Sequence, residues 1–239
     1  MNSKVAYITD IHLDEKFPLE QGIDARKNWN VILKDLKIRN IRSVIFGGDI
    51  GEKSSNSYFF DSLKSFDLTI SLGNHDDFNE ASKYYFSEKF THQKALYYTQ
   101  ETSVYKCIYL DSSQNKIDDI QYDWFLNELK TDKKLIVFIH HPILGIHTEV
   151  DRKYYLIHRD RLRTALEQLS NEVFLFSGHY HFNHVQKHKN ITQYVTQAAS
   201  YQIENIPEGI EIQTETFGYR ILDFTPTEIQ TTLITFPSQ

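Results

Sequence analysis

The chain of 239 residues is 40% apolar and 24% charged, the composition of an ordinary globular protein with a core of its own. Its formal net charge of −6 disfavours a general binder of nucleic acid or of anionic membranes. The single cysteine, Cys107, excludes an intramolecular disulfide and a CxxC motif, and the longest clean apolar run, residues 135–139, is too short to span a bilayer.

The first part of the chain alternates apolar runs typical of strands with amphipathic stretches typical of helices. Strands are predicted over 4–9, 43–48 and 67–74, and helices over 24–38, 57–66 and 79–90. This alternation predicts an α/β fold with a largely parallel sheet and crossover helices. No linker rich in Pro, Gly or Ser divides the sequence, so we expect a single domain over 1–239, located in the cytoplasm.

The second part of the chain continues the alternation and then becomes rich in strands. Strands are predicted over 95–100, 103–110, 134–140 and 172–178, with helices over 119–130 and 159–169. Beyond Phe182 the predicted strands follow one another over 185–190, 191–198, 210–217, 219–224 and 229–236. We expect this tail to extend the first sheet or to form a second sheet packed on it.

Five of the apolar runs end in polar clusters that can hold a metal ion. These clusters are Asp10 and His12; Asp49; Asn74, His75 and Asp76; His140 and His141; and His179 and His181, with His184 close by. In open α/β sheets, ligands bind beyond the carboxyl ends of the strands. We therefore expect the clusters to form one site rather than five unrelated surface turns.

The residue types in these clusters indicate two metal ions. Imidazole and carboxylate together suit Zn, Fe or Mn better than Ca or Mg, which prefer oxygen ligands alone. Seven protein ligands are too many for one catalytic zinc, which takes three and keeps an open position. Two metals that share a carboxylate can activate a bridging hydroxide for in-line attack on phosphorus, a geometry characteristic of phosphoester hydrolysis.

The spacing inside the clusters suggests how paired ligands share one cavity. In extended backbone, residues i and i+2 point to the same side, so Asp10 and His12 can face the site together, as can His179 and His181. A glycine directly precedes a predicted ligand at Gly48, Gly73 and Gly178. A tight backbone turn costs the least free energy at glycine.

The motifs, taken in order, resemble the calcineurin-like metallophosphoesterase superfamily. They are Asp10-Ile11-His12, Gly48-Asp49, Gly73-Asn74-His75-Asp76, His140, and Gly178-His179-Tyr180-His181. The resemblance implies a four-layer αββα sandwich and a metal-dependent phosphoric ester hydrolase. It also implies two metal ions, with Mn, Fe and Zn as candidates.

The resemblance assigns a role to each motif residue. It implies one metal held by Asp10, His12, Asp49 and His181, and a second held by Asp49, Asn74, His140 and His179, so that Asp49 bridges. His75 would face the phosphate, stabilising charge or protonating the leaving oxygen. Asp76 either orients His75 or caps the following helix. His141 either supports the ligands or faces the substrate, and His184 is a neighbour on the substrate side.

Within the superfamily, several details favour a phosphodiesterase. The run Gly48-Asp49-Ile50-Gly51-Glu52-Lys53 lacks the Arg that Ser/Thr protein phosphatases carry there. The run at His140-His141-Pro142 and the tail Gly218-Tyr219-Arg220 resemble class III cyclic-nucleotide phosphodiesterases. The predicted partner is a small phosphodiester, with selectivity from the loops around 13–23, 77–93 and 143–157. A phosphomonoesterase, a nucleotide pyrophosphatase and a non-catalytic module remain the alternatives.

Overall fold

The computed structural model describes residues 3–85, 94–225 and 227–238, and within them two β-sheets carry the framework. The first sheet has five strands in the order β13-β12-β1-β2-β3. Their bounds are β1 Ser3–Ile8, β2 Ser43–Phe46, β3 Asp67–Ile70, β12 Thr216–Phe224 and β13 Ile229–Pro237. β1, β2 and β3 are parallel, whereas β12 runs antiparallel to β1 and β13 antiparallel to β12.

The second sheet has six strands in the order β4-β5-β6-β7-β9-β8. Their bounds are β4 Tyr98–Glu101, β5 Tyr105–Leu110, β6 Lys134–Ile139, β7 Val173–Ser177, β8 His184–His188 and β9 Ile191–Val195. β5, β6, β7 and β9 are parallel, and the edge strands β4 and β8 are antiparallel to their neighbours. A small ribbon pairs β10 Gln202–Ile203 with β11 Ile212–Gln213.

Helices cover the outer faces of the two sheets. They are α1 Lys16–Glu20, α2 Ala25–Ile38, α3 Asn56–Ser62, α4 Phe78–Ala81, α5 Asp119–Glu128, α6 Glu149–Tyr154 and α7 Arg159–Glu167, with a 3₁₀ turn at Lys53–Ser55. α2 buries Trp29 and Ile32 in one apolar cluster with strands of the first sheet. Phe125 of α5 and Leu162 of α7 are buried in a separate cluster with Val137 of the second sheet.

The inner faces of the sheets pack directly on each other. The ring of Tyr7 on β1 lies 5.7 Å from that of Phe138 on β6 and 5.9 Å from that of Phe176 on β7, measured between centroids. The layers therefore run helix, sheet, sheet, helix. This arrangement confirms the predicted α/β fold and four-layer αββα sandwich.

The structure also corrects parts of the sequence reading. The βα alternation builds two sheets rather than one, because the strands from β4 to β9 pair among themselves. The tail contributes strands to both sheets: β8 and β9 belong to the second sheet, and β12 and β13 belong to the first. Two short helices, α1 and α6, lie where loops were predicted, and the predicted helix over 79–90 runs into residues 86–93, which are outside the described part.

Backbone hydrogen bonds join the loops that follow the parallel strands. The loop after β1 bonds to the loop after β2, with Asp10 N donating to Gly48 O at 2.9 Å. The loop after β7 bonds to the loop after β6, with Gly178 N donating to His140 O at 3.0 Å. The carboxyl ends of both sheets thus present one continuous group of loops. Among the described residues, no helix is long and apolar enough to cross a membrane.

Candidate metal centre

The predicted ligands all lie in the loops that leave the carboxyl ends of the strands. Asp10 and His12 follow β1, Asp49 follows β2, Asn74 follows β3, His140 follows β6, and His179 and His181 follow β7. Because both sheets direct these ends to the same side, residues far apart in sequence come together. The structure resolves them into two groups.

The first group consists of Asp10, His12 and His181, whose candidate ligand atoms lie within 4.8 Å of one another. Nε2 of His12 is 3.0 Å from Nε2 of His181, and Nε2 of His181 is 3.4 Å from Oδ1 of Asp10. All three residues are buried. Two imidazole nitrogens facing each other at this distance, beside a carboxylate, are suited to sharing a cation.

The second group consists of Asp49, His140 and His179, again with candidate ligand atoms within 4.8 Å of one another. Nε2 of His140 lies 3.2 Å from Oδ2 of Asp49. The same Oδ2 atom is 3.6 Å from Nε2 of His12 in the first group. Asp49 therefore stands between the two groups, which is the position that a bridging carboxylate requires.

Two buried atoms of the predicted ligands have no hydrogen-bond partner among the residues that the structure describes. They are Oδ1 of Asn74 and Nε2 of His140. Nearly all buried polar atoms in folded proteins are paired, and an unpaired one costs free energy. An amide oxygen and an imidazole nitrogen are both metal ligands, so a cation at this place would satisfy both. The residues present thus fit a metal centre.

The histidines predicted as ligands are held by hydrogen bonds from their other ring nitrogens. Nδ1 of His140 donates to Gly47 O at 2.9 Å, and Nδ1 of His181 donates to Tyr201 O at 3.0 Å. Nε2 of His179 donates to Tyr154 O at 2.8 Å, which leaves Nδ1 as its remaining nitrogen. Such bonds fix the tautomer and orientation of metal-binding imidazoles.

The backbone of the site is in an unusual conformation. Five of the predicted ligands have positive φ, namely Asp10 at 57°, His12 at 53°, Asp49 at 62°, His179 at 68° and His181 at 52°. The expectation that paired ligands converge through extended backbone was wrong, because left-handed turns bring them together. Each such non-glycine conformation costs of order 1–3 kcal/mol, and clusters of them are found at functional sites.

The two carboxylates of the site are ionised. Burial raises the pKa of Asp10, but the charges of His181 and His140 outweigh that effect and bring it to about 2. Burial also opposes ionisation of Asp49, yet the charges of His140 and His12 hold its pKa well below the usual value. Two buried negative charges side by side provide the electrostatic attraction that a cation needs.

His75 lies outside these two groups and forms a third candidate group with His12 and Glu15. Its backbone N donates to Oδ1 of Asp49 at 2.9 Å, and its exposed ring stands at 89° to that of His12, with centroids 4.7 Å apart. Nδ1 of His75 donates to Oε1 of Glu15 at 3.0 Å. That hydrogen bond is the main reason why the pKa of His75 is raised to about 9. The geometry offers a proton-bearing imidazole next to the candidate metals.

Asp76 has contacts that differ from both predictions made for it. Its carboxylate accepts hydrogen bonds at 2.8 Å from the backbone N atoms of Asp49, Ile50 and Gly73. None of its described contacts is with His75, and the residue that caps α4 is Asp77, which accepts from Glu80 N at 3.0 Å. Asp76 thus ties the loop that carries Asp49 to the loop that carries Asn74.

His141 and His184 have surroundings that limit contact with a substrate. His141 is fully buried, and its ring nitrogens bond to Ser112 Oγ at 2.8 Å and Asn115 Oδ1 at 3.0 Å. Its ring lies 4.1 Å from that of His179, so it supports that ligand. His184 begins β8 and contacts Phe182 and Asn205, with no recorded contact to the metal-binding groups in the part of the chain described.

Sequence reasoning missed Glu15, which contacts two of the predicted site residues. Its Oε2 atom lies 2.9 Å from Nδ1 of His12, and its Oε1 atom lies 3.0 Å from Nδ1 of His75. Glu15 stands three residues after His12, in a stretch where surface acids are common. The only signal in the sequence is that short separation from a candidate ligand.

The comparisons with known proteins agree with this geometry. The family model described as calcineurin-like phosphoesterase matches residues 3–183, a range that contains all seven predicted ligands. A Fibrobacter succinogenes protein named "probable cyclic nucleotide phosphodiesterase" is 26% identical over 208 residues, covering 84% of this chain and 81% of that protein. An Arcobacter nitrofigilis protein named "probable glycerophosphodiester phosphodiesterase" is 30% identical over 198 residues, covering 74% and 71%.

Solved structures share the fold at low sequence identity. A dimetal phosphatase from Danio rerio superposes with a TM-score of 0.59 at 12% identity, over 97% of this chain and 98% of its own. A Plasmodium protein described as GAP50, the anchor in the inner membrane complex, superposes with a TM-score of 0.64, also at 12% identity, over 99% of this chain and 88% of its own. At such identities the likeness is one of fold.

Proposed function

Because the chain belongs to the calcineurin-like phosphoesterase family, we propose that it hydrolyses a small phosphodiester at a two-metal centre. The observation that carries the proposal is the position of Asp49 between the two groups of candidate ligands. A single carboxylate in reach of both groups is what a pair of metal ions needs. The chain is accordingly a metal-dependent phosphoric ester hydrolase, and its finer substrate class is the subject of the proposal.

The residues present would hold the two ions as the motifs predict. Asp10, His12, Asp49 and His181 would bind one, and Asp49, Asn74, His140 and His179 the other. When bound, such a pair supplies Lewis acidity toward the phosphate oxygens and lowers the pKa of the attacking water. The mixture of imidazole and carboxylate favours Mn, Fe or Zn. Elemental analysis of the purified protein would identify them.

His75 is the residue placed to protonate the leaving oxygen, a step that the metal ligands cannot perform. Hydrolysis forms a bond from a water oxygen to phosphorus and breaks one ester P–O bond, so the leaving oxygen must gain a proton. Nδ1 of His75 is engaged by Glu15, which leaves Nε2 to face the phosphate. From there His75 can donate its proton to the leaving oxygen or stabilise charge on the phosphate.

The pocket beside His75 carries charges of both signs. It has a volume of about 350 Å³ and is lined by Glu15, Lys16, Phe17, Gly51, Glu52, Lys53 and His75. Lys53 pairs with Asp77 at 2.7 Å, and Glu15 is bonded by His75 at 3.0 Å. The preference for a diester is therefore supported by the curated relatives, which are named as diesterases, and not by the charges of this pocket.

An aromatic surface at the same pocket supports a cyclic nucleotide as the first candidate. The ring of Phe17 is 42% exposed and packs against Tyr201 with centroids 5.4 Å apart. Tyr201 in turn lies 4.4 Å from the ring of His181. A nucleobase can stack on such a ring, a contact worth roughly 1–3 kcal/mol. The names of the curated relatives point to the same substrate class and to glycerophosphodiesters as the second candidate.

The expected substrate preference can be measured directly. We expect kcat/KM to be higher for bis-p-nitrophenyl phosphate than for p-nitrophenyl phosphate, because the curated relatives are named as diesterases. Cyclic nucleotides and glycerophosphoethanolamine, assayed next, would rank the two candidate diester classes. A clear preference for the monoester would overturn the proposal in favour of a phosphomonoesterase, and activity confined to nucleoside polyphosphates would favour a pyrophosphatase.

Removal of metal is expected to lower the melting temperature. An ion that binds only the folded state stabilises it by mass action, by about 2.7 kcal/mol at 100 times its Kd. Calorimetry on protein dialysed against EDTA should show a lower Tm, and adding Mn²⁺ or Zn²⁺ should restore it. An unchanged Tm after verified metal removal would contradict a centre formed by these buried ligands.

A further inference from the structure

Glu15 lies outside every motif considered above, yet its two carboxylate oxygens contact two different parts of the site. We propose that Glu15 is a positioning residue that orients His12 and His75 together and so couples the metal centre to the proton donor. This inference rests on the proposed function for the role of His75. It adds a component to the site that neither the motifs nor the comparisons assign.

The geometry gives each oxygen of Glu15 one histidine. Oε2 lies 2.9 Å from Nδ1 of His12, and Oε1 lies 3.0 Å from Nδ1 of His75. The side chain of Glu15 is only 13% exposed, compared with 2% for His12 and 45% for His75. The carboxylate therefore links the buried ring of His12 to the exposed ring of His75. A rotation of either ring would break its bond to the shared partner.

The position of Glu15 in the chain strengthens this interpretation. It is the N-cap residue of α1, a position where the shorter side chains of Ser, Thr, Asp and Asn accept hydrogen bonds from the first backbone N atoms of the helix. Here the side chain makes no such bond. Its loop is fixed instead by the neighbouring loop, with Leu13 N donating to Ile50 O at 2.8 Å. The carboxylate is thereby left to the two histidines.

A carboxylate suits this position because it only accepts hydrogen bonds. Both histidines then donate from Nδ1, so Nε2 of His12 faces Asp49 and the first group, and Nε2 of His75 remains for the substrate. Glutamine has nearly the same shape but offers one acceptor and one donor. Glu15→Gln can therefore satisfy only one of the two rings and leaves the other in the wrong tautomer or unbonded.

The kinetic test compares Glu15→Gln in two backgrounds, with saturating metal. We expect kcat on an alkyl phosphodiester to fall about 10- to 100-fold, the usual effect of losing the partner of a ligand histidine, with KM little changed. In a His75→Ala background the same substitution should cost much less, because one of the two coupled rings is gone. Glu20→Gln, an exposed acid on α1, is the matched control and should keep the wild-type rate.

Two kinetic outcomes would overturn the proposal. One is a wild-type kcat in Glu15→Gln. The other is a loss of the same size with and without His75, which would mean that Glu15 acts on the metal ligand alone. Circular dichroism and Tm of the variant, compared with Glu20→Gln, would establish that both proteins are folded.

A spectroscopic readout separates this inference from the proposed function. Long-range ¹H–¹⁵N spectra of histidine-labelled, zinc-loaded protein report which ring nitrogen carries the proton. We expect Nδ1–H for both His12 and His75 in the wild type, and a changed state for at least one of them in Glu15→Gln. Unchanged signals for both rings would refute the role of Glu15, even if the wild type hydrolyses phosphodiesters. If the ring-nitrogen signals change in Glu15→Gln but the wild type does not hydrolyse phosphodiesters, only the proposed function is refuted.

Discussion

Replacing Asp49 by alanine is expected to remove both metal ions and to reduce phosphodiester hydrolysis to background. Oδ2 of Asp49 lies 3.2 Å from Nε2 of His140 and 3.6 Å from Nε2 of His12, so one carboxylate serves both groups. Its Oδ1 atom also accepts the backbone N–H of His75 at 2.9 Å. The substitution thus removes the bridge and an anchor of the proton donor together. Elemental analysis and steady-state assays would measure the two effects.

A second variant, Asp49→Asn, separates the loss of the bridging carboxylate from strain in the backbone at this position. Asp49 has a φ of 62°, which alanine tolerates poorly, whereas asparagine adopts that region readily. Asp49→Asn should therefore fold well and still lose metal, because a neutral amide cannot replace the buried negative charge. Asp61→Ala, an exposed acid on α3, is the control and should keep both metals and the full rate. Two metal ions per chain in Asp49→Asn would contradict the bridging role.

Replacing His75 by alanine is expected to leave the metals in place and to lower kcat by about 10²–10⁴-fold, the range for a general acid. His75 forms a third candidate group with His12 and Glu15, but its ring is 45% exposed and lies outside the two groups that hold the predicted ligands, so its loss should not release either of those ions. The penalty should be larger for an alkyl diester than for bis-p-nitrophenyl phosphate, because p-nitrophenolate leaves with little need of a proton.

The leaving-group comparison makes the His75 prediction specific. His188→Ala, which removes an exposed histidine on β8 paired with Glu167, should have the wild-type rate on both substrates. An equal penalty on both substrates would assign His75 to charge stabilisation rather than proton donation. A wild-type rate on both would remove it from the mechanism.

Much of the arrangement could be predicted because the carboxyl ends of parallel strands meet. Short apolar runs ending in Asp10, Asp49 and His140 place polar groups at one edge, whatever the order of the strands. The structure brings those residues to within a few ångströms of each other. Alternation predicted the α/β class, whereas the four-layer architecture followed from the resemblance of the motifs to a known family.

What could not be predicted depends on contacts between distant segments. The left-handed backbone at His179 and His181 is imposed by packing, since local propensity disfavours it. Asp76 was expected to act on its neighbour His75 or on the next helix, whereas its partners include Asp49 N across a loop boundary. Glu15 looked like a surface acid because only the fold brings His75 beside it.

The pairing of β1 with β12 has a consequence for how the protein is made. Ser3 pairs with Phe224 and Tyr7 with Arg220, so the strand that leads into Asp10 is completed by residues synthesised long after it. Until β12 leaves the ribosome, β1 is an unpaired sheet edge, the kind of surface that promotes aggregation. The nascent chain therefore carries all seven predicted ligands before β12 completes the sheet behind them. We expect the metal centre to assemble only after β12 has been synthesised.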